Sequence, residues 1–143
     1  MGGTADISLA GKWTYRSYRN DPSLVGDDAN KALDLIFAEA VFTFDISGAA
    51  LKGTIDWTGG GLDLEGTART TGDAGAPVVA IVGTGRPGTS TAGREYDYRA
   101  QLAYEWPTGV DQVPALVGTV MRAKAHDGGA AGYAAAFVAV KQQ

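Results

Sequence analysis

Apolar residues in this chain recur at every second position, in short runs broken by Gly, Asp, Asn and Pro, and almost nowhere at helical spacing. Strict alternation places apolar side chains on one face of an extended backbone and polar ones on the other, which is the pattern of a half-buried strand. Eight such runs follow one another: Leu9 to Tyr18, Leu33 to Ile46, Leu51 to Trp57, Leu62 to Arg69, Pro77 to Val82, Arg94 to Trp106, Ala115 to Ala125 and Tyr133 to Lys141. With 21 glycines in 143 residues, most connections read as tight turns. Eight sequential strands predict an all-β chain, a single domain over 1–143 folded as an eight-stranded antiparallel up-and-down β-barrel, because closure removes exposed strand edges. A two-sheet β-sandwich is the alternative. A barrel of this size either fills with side chains or holds one small ligand.

The alternation also assigns an inner face. Leu9, Gly11, Trp13 and Tyr15 share one phase of the first run; Leu51, Gly53, Ile55 and Trp57 share one phase of the third. In the sixth, Tyr96, Tyr98, Ala100, Leu102, Tyr104 and Trp106 oppose Glu95, Asp97, Arg99, Gln101 and Glu105. Arg99 and Arg122 are assigned to outward phases, leaving Arg122 at best a rim residue. The second run changes phase between Leu33, Leu35, Phe37 and Phe42, Phe44, Ile46. A bulge near Ala38 to Ala40 reconciles the halves, and a short helical turn across Asp28 to Ala32 is the other solution. The segments Arg19 to Lys31 and Gly83 to Gly93 read as mobile lids.

Composition excludes several functions. A net charge of −4 and the absence of a basic cluster argue against a nucleic-acid partner. No apolar run is long enough for a membrane span. The opening MGGTADIS carries no leader pattern, so the cytoplasm is the expected location, with a trimmed secreted or periplasmic form as the alternative. The chain has no cysteine and one histidine, so no metal site and no cofactor are expected.

Two residues are candidates for acid–base chemistry. His126 has the titration range for proton transfer, but the following Asp127-Gly128-Gly129 reads first as a hairpin turn. Glu39 lies within LIFAEAVFTF, where a buried charge needs a partner; it reads first as solvent-facing and second as a polar anchor or base. The Gly83-to-Gly88 stretch, GTGRPG, lacks the Lys and Ser/Thr of a phosphate loop. As a group the aromatics say more. Tyr and Trp join apolar bulk to a hydrogen-bond donor, which suits either a filled core or an amphipathic pocket. The expected pocket residues are Tyr15, Phe37, Trp57, Tyr98, Tyr104 and Trp106, with Glu39 as anchor.

Gly11-Lys12-Trp13 near the start of the first strand resembles the Gly-x-Trp of calycins, the lipocalin, fatty-acid-binding and avidin group of small barrels. More narrowly, SLAGKWTY, GAALKGTI, LDLEGTAR and AAAFVAVK are similar to avidin strands. That resemblance implies a barrel with a ligand in its lumen, and the departures from it argue against biotin. Tyr15 and Arg19 stand where avidins carry Asn and Ser, Ile55 and Trp57 where they carry Tyr and Ser, and Ala134 to Ala136 offer no acid. The segment Trp106 to Lys141 also resembles one in uncharacterised bacterial proteins of this size, which implies a bacterial chain and no transferable activity.

Three functions follow as expectations. The first is a calycin-like barrel binding a small apolar or amphipathic molecule. The second is a barrel isomerase or cyclase using His126 or Glu39. The third is a filled barrel acting as a homo-oligomeric module, with the alanine-rich AAGYAAAFVAV against a partner sheet.

Overall fold

A computed structural model of the chain describes residues 9–20, 26–28, 31, 35–70 and 77–143. Its strands are β1 (Gly11–Arg19), β2 (Ile36–Ser47), β3 (Ala50–Trp57), β4 (Gly60–Thr70), β5 (Pro77–Gly85), β6 (Glu95–Leu102), β7 (Ala115–Arg122) and β8 (Ala134–Lys141). Each pairs antiparallel with its sequence neighbours, and β1 also pairs with β8, from Trp13 opposite Lys141 to Arg19 opposite Ala135. The sheet is therefore a closed eight-stranded up-and-down barrel, and the sandwich alternative is set aside.

The β2 phase change has the expected cause, one residue earlier than read. Ser17 pairs with Ala38 but Tyr18 pairs with Ile36, so Phe37 is an extra residue bulged out of the β1–β2 register. Beyond it Ala40, Phe42 and Phe44 face inward and are buried. The Lys31 N–H also donates to the Asp28 carbonyl at 3.1 Å, the i→i+3 bond of a short turn. Leu33 and Ala32, with most of the Arg19-to-Lys31 segment, lie outside the described residues.

Up-and-down order sends alternate connections to opposite ends of the barrel. One end gathers the Ser47–Ala50 turn and the 103–114 loop. Here Trp13 is fully buried, its indole N–H donates to the Leu9 carbonyl at 2.9 Å, and Lys141 Nζ lies 5.8 Å from its ring centroid. Above Trp13 and Phe44, the rings of Tyr15, Phe42, Tyr98 and Phe137 meet mostly edge to face, with centroids 4.9–6.3 Å apart. This aromatic layer fills the middle of the lumen. Burial raises the phenol pKa of both Tyr15 and Tyr98 well above the usual value, so both hydroxyls stay protonated and the layer carries no charge.

Candidate functional site

Past the aromatic layer the lumen opens. A cavity of about 440 Å³ lies at the end where the Trp57–Gly60 turn, the 86–94 loop and the 123–133 segment gather. Tyr15 and Tyr98 form its floor, Ile55, Leu62 and Val120 its apolar wall, and Phe37 and Trp57 its upper aromatic wall. Arg94, Tyr96, Thr58 and Glu39 add polar atoms around the mouth. The volume falls in the range that holds small organic ligands, roughly 300–1,000 Å³.

Of the residues expected to line a pocket, Tyr15, Phe37, Glu39, Trp57 and Tyr98 are gathered around this cavity. Tyr104 and Trp106 are not, and their inward placement is corrected. The β6–β7 ladder ends with the Ala103 N–H on the Ala115 carbonyl. The chain then leaves the sheet in a loop closed by two hydrogen bonds of 2.9 Å between Trp106 and Gln112. Outside the ladder the period-two rule no longer decides which way a side chain points. Tyr104 and Trp106 pack edge to face at the other end of the barrel, 72% and 65% exposed.

Glu39 is outward-facing and solvated, as its first reading had it. Its carboxylate pairs with Arg16 across β1 and β2 at 3.2 Å, both groups well exposed, and it meets the cavity only at the rim. The Arg122 assignment is also corrected. Arg122 shares the inward phase of Leu116 and Val120 and pairs with Tyr96 in register. Its guanidinium lies 5.3–5.9 Å from the ring centroids of Tyr133, Phe37 and Tyr96, in reach of cation–π attraction.

His126 lies in the hairpin turn of its first reading. His126 and Gly129 exchange backbone hydrogen bonds of 2.7 and 3.1 Å, with Asp127 (φ 47) and Gly128 (φ 81) at the turn, so the segment is a two-residue hairpin. The imidazole is folded inward: Nδ1 lies 3.0 Å from the Asp127 carboxylate and Nε2 lies 2.7 Å from the Tyr96 hydroxyl. A carboxylate only accepts, which assigns the Nδ1 proton to the bond with Asp127. With the ring neutral in this tautomer, Nε2 is the acceptor for the Tyr96 hydroxyl. Arg122 Nε donates to the same phenol oxygen at 3.3 Å, and Arg94 pairs with Asp127 at 2.7 Å. The His126 bond, then Arg94, lowers the pKa of the exposed Asp127 carboxyl below the usual carboxylate range. The result is a chain of polar contacts, Arg94–Asp127–His126–Tyr96–Arg122, that reaches the cavity through Arg94 and Tyr96.

The expected lid at Gly83 to Gly93 is tethered instead. Gly83 to Gly85 complete β5, and the remaining loop is held by the buried Thr91. Thr91 Oγ1 donates to the Gly61 carbonyl at 2.8 Å and accepts from the Arg86 N–H at 3.2 Å. Arg86 in turn reaches Asp56, Asp63 and the Leu62 carbonyl at 2.8–3.3 Å. Thr91→Val keeps the shape and strands the buried Gly61 carbonyl, so it is expected to cost about 1–3 kcal/mol in urea unfolding. An unchanged midpoint would mean that the loop is not anchored there.

Sequence reasoning passed over Arg94, Ile55, Leu62, Tyr96 and Val120 as site residues. The alternation that selects Tyr98 also contains Tyr96, and that of the third run contains Ile55, as inward neighbours; Val120 shares the phase of Arg122, whose outward assignment hid it. Arg94 precedes its strand by one residue and gave no signal of its own. Among the described residues, no group of three or more His, Asp or Glu side chains is arranged to hold a metal, and no helix is long and apolar enough to cross a membrane. Compared with protein-family models, curated proteins and solved structures, the chain matches none of them.

Proposed function

We propose that this barrel binds a small amphipathic molecule at its open end. The ligand's apolar body rests on the Tyr15–Tyr98 floor against Ile55, Leu62 and Val120, and its polar end lies beside Arg94 and Tyr96. One observation carries the reading: the lumen is filled as far as the aromatic layer and offers a cavity of about 440 Å³ above it, lined by both apolar and polar side chains. The loop beside that mouth is tethered, which keeps the ordering cost of binding low. Kinship with the calycins belongs to the same proposal. It rests on Gly11-Lys12-Trp13 and the closed barrel, and it extends neither to biotin nor to any named ligand.

Native mass spectrometry of freshly purified protein is the direct test. A non-covalent mass that disappears on denaturation is the expected result. In parallel, a neutral naphthylamine dye is expected to brighten on binding wild-type protein. Ala38→Trp, which places an indole in the cavity wall, is expected to weaken dye binding at least tenfold while leaving the barrel's circular dichroism intact. Equal dye binding by the two proteins would remove the cavity as the site.

The Asp127–His126–Tyr96 contacts favour a second reading, a barrel isomerase or cyclase with Tyr96 as the group that exchanges a proton with substrate. A binder returns its ligand unchanged after incubation; an isomerase or cyclase returns a product of the same mass and different chromatographic mobility.

A further inference from the structure

The floor of the cavity carries hydroxyls that the protein itself leaves unpaired. Ser17 is wholly buried on the inward phase of β1, and its Oγ has no hydrogen-bond partner among the described residues. Tyr15 and Tyr98 are buried as well, yet both line the cavity. No described residue hydrogen-bonds the Tyr98 hydroxyl, on which only burial and the phenols of Tyr15 and Tyr96 act. Burial pushes the Tyr15 phenol pKa up, while Ser17, a donor beside it, pulls it down. A Ser17 proton given to the Tyr15 oxygen leaves the Tyr15 proton for the cavity. Tyr96 differs, because its hydroxyl is already held between His126 and Arg122. A buried hydroxyl without a partner is costly, so each such group in a folded chain calls for one.

We propose that the Tyr15 and Tyr98 hydroxyls form a donor pair for one uncharged carbonyl oxygen at the inner end of the ligand. This rests on the cavity being a ligand site, and it makes the occupant an amphipathic carbonyl compound. Three features select that class. Phenols buried this deeply stay protonated, so each has an O–H to donate. The two rings stand side by side, with centroids 6.3 Å apart. Two donors match the two lone pairs of a carbonyl oxygen, which brings no proton of its own to place. Finally, no cation reaches the floor. Arg94 lies at the mouth and pairs with Asp127, and Arg122 is taken up by Tyr96 and the Ala130 carbonyl. A carboxylate at the floor would be a buried charge without a partner, and an alkyl group there would leave both phenols without an acceptor.

Two neutral dyes separate this from simple burial: a dimethylaminonaphthyl ethyl ketone, and its propyl counterpart with a methylene in place of the carbonyl. A cavity that only excludes water favours the more apolar propyl dye. Here the ketone is expected to bind at least tenfold more tightly, because the propyl dye leaves buried donors unpaired. Its bound emission is expected to lie to the red of that in an aprotic solvent, the mark of a hydrogen-bonded carbonyl. The corresponding naphthoate is expected to bind at least tenfold more weakly than the ketone. Tyr98→Phe and Tyr15→Phe keep the rings and remove one donor each. Both are expected to weaken ketone binding at least fivefold and to move its bound emission to the blue, while propyl-dye affinity holds. Without dye, the urea midpoint is expected not to fall in Tyr98→Phe, since that hydroxyl gives up no partner; a fall would place its partner within the protein and overturn the inference. Equal or tighter binding of the propyl dye or the naphthoate, or ketone binding unchanged in either variant, would overturn it too and leave the cavity reading standing. Binding of none of the three dyes would remove the cavity as a ligand site, and this inference with it.

Discussion

Trp13→Ala is expected to destabilise the barrel by about 3–5 kcal/mol, the usual cost of deleting a fully buried large aromatic. Three physical losses combine. The indole is wholly buried against Phe44, so its removal leaves a void that the surrounding rings cannot refill. The Leu9 carbonyl loses its 2.9 Å donor. The Lys141 ammonium loses the ring face beneath it. Small domains are stable by only about 5–15 kcal/mol, so the variant is expected to be near the edge of folding, with Tm lowered by roughly 10 °C. Urea unfolding followed by far-ultraviolet circular dichroism measures it. A loss under about 1 kcal/mol would show that the Trp13 end is not a packed plug.

Gly118→Ala is expected to cost about 3 kcal/mol, a large effect for a single added methyl group. Gly118 lies on the inward phase of β7 and pairs with Ala100 on β6. A Cβ built there would stand against the Arg99 carbonyl oxygen and the Ala100 Cα and Cβ. Two of these atoms are backbone in a hydrogen-bonded ladder, so relief requires moving the strand rather than turning a side chain. That places the cost at the upper end of the usual 1–3 kcal/mol for overpacking. The matched measurement is Thr119→Ala, one residue on and facing outward, where a shift below about 0.5 kcal/mol is expected. Equal effects at the two positions would mean that the close approach of β6 and β7 is not a constraint.

The barrel was legible because its strands are local. Each pairs with its sequence neighbour, and period-two alternation from Trp13 to Tyr15 or Tyr96 to Leu102 reports one dry face directly. Legibility failed where the chain leaves the ladder. Tyr104 and Trp106 continue the alternation of β6 on paper, but after Ala103 no partner strand enforces it. Arg122 failed for the opposite reason. Its charge suggested solvent, yet its phase is inward, and three aromatic rings with the Tyr96 hydroxyl accommodate the guanidinium. The tethered 86–94 loop illustrates a third limit. Gly, Pro, Ser and Thr read as a flexible segment until Thr91 is seen to hydrogen-bond a strand some thirty residues upstream. The site was half visible: the floor and aromatic wall followed from alternation, while the polar mouth depends on a turn that folds His126 back over β6.

The ladder between β1 and β8 differs in kind from the other seven. Those join neighbours in the chain, across connections of two to sixteen residues. The eighth brings Trp13 to Lys141. The entropy of closing so large a loop grows slowly with length but must be met before its contacts form. Local zippering is therefore expected to give an open sheet first, with the free edges of β1 and β8 held apart, and closure to complete the barrel last. During that interval both edges can pair with another chain, so the yield of refolded barrel should depend on chain concentration during folding.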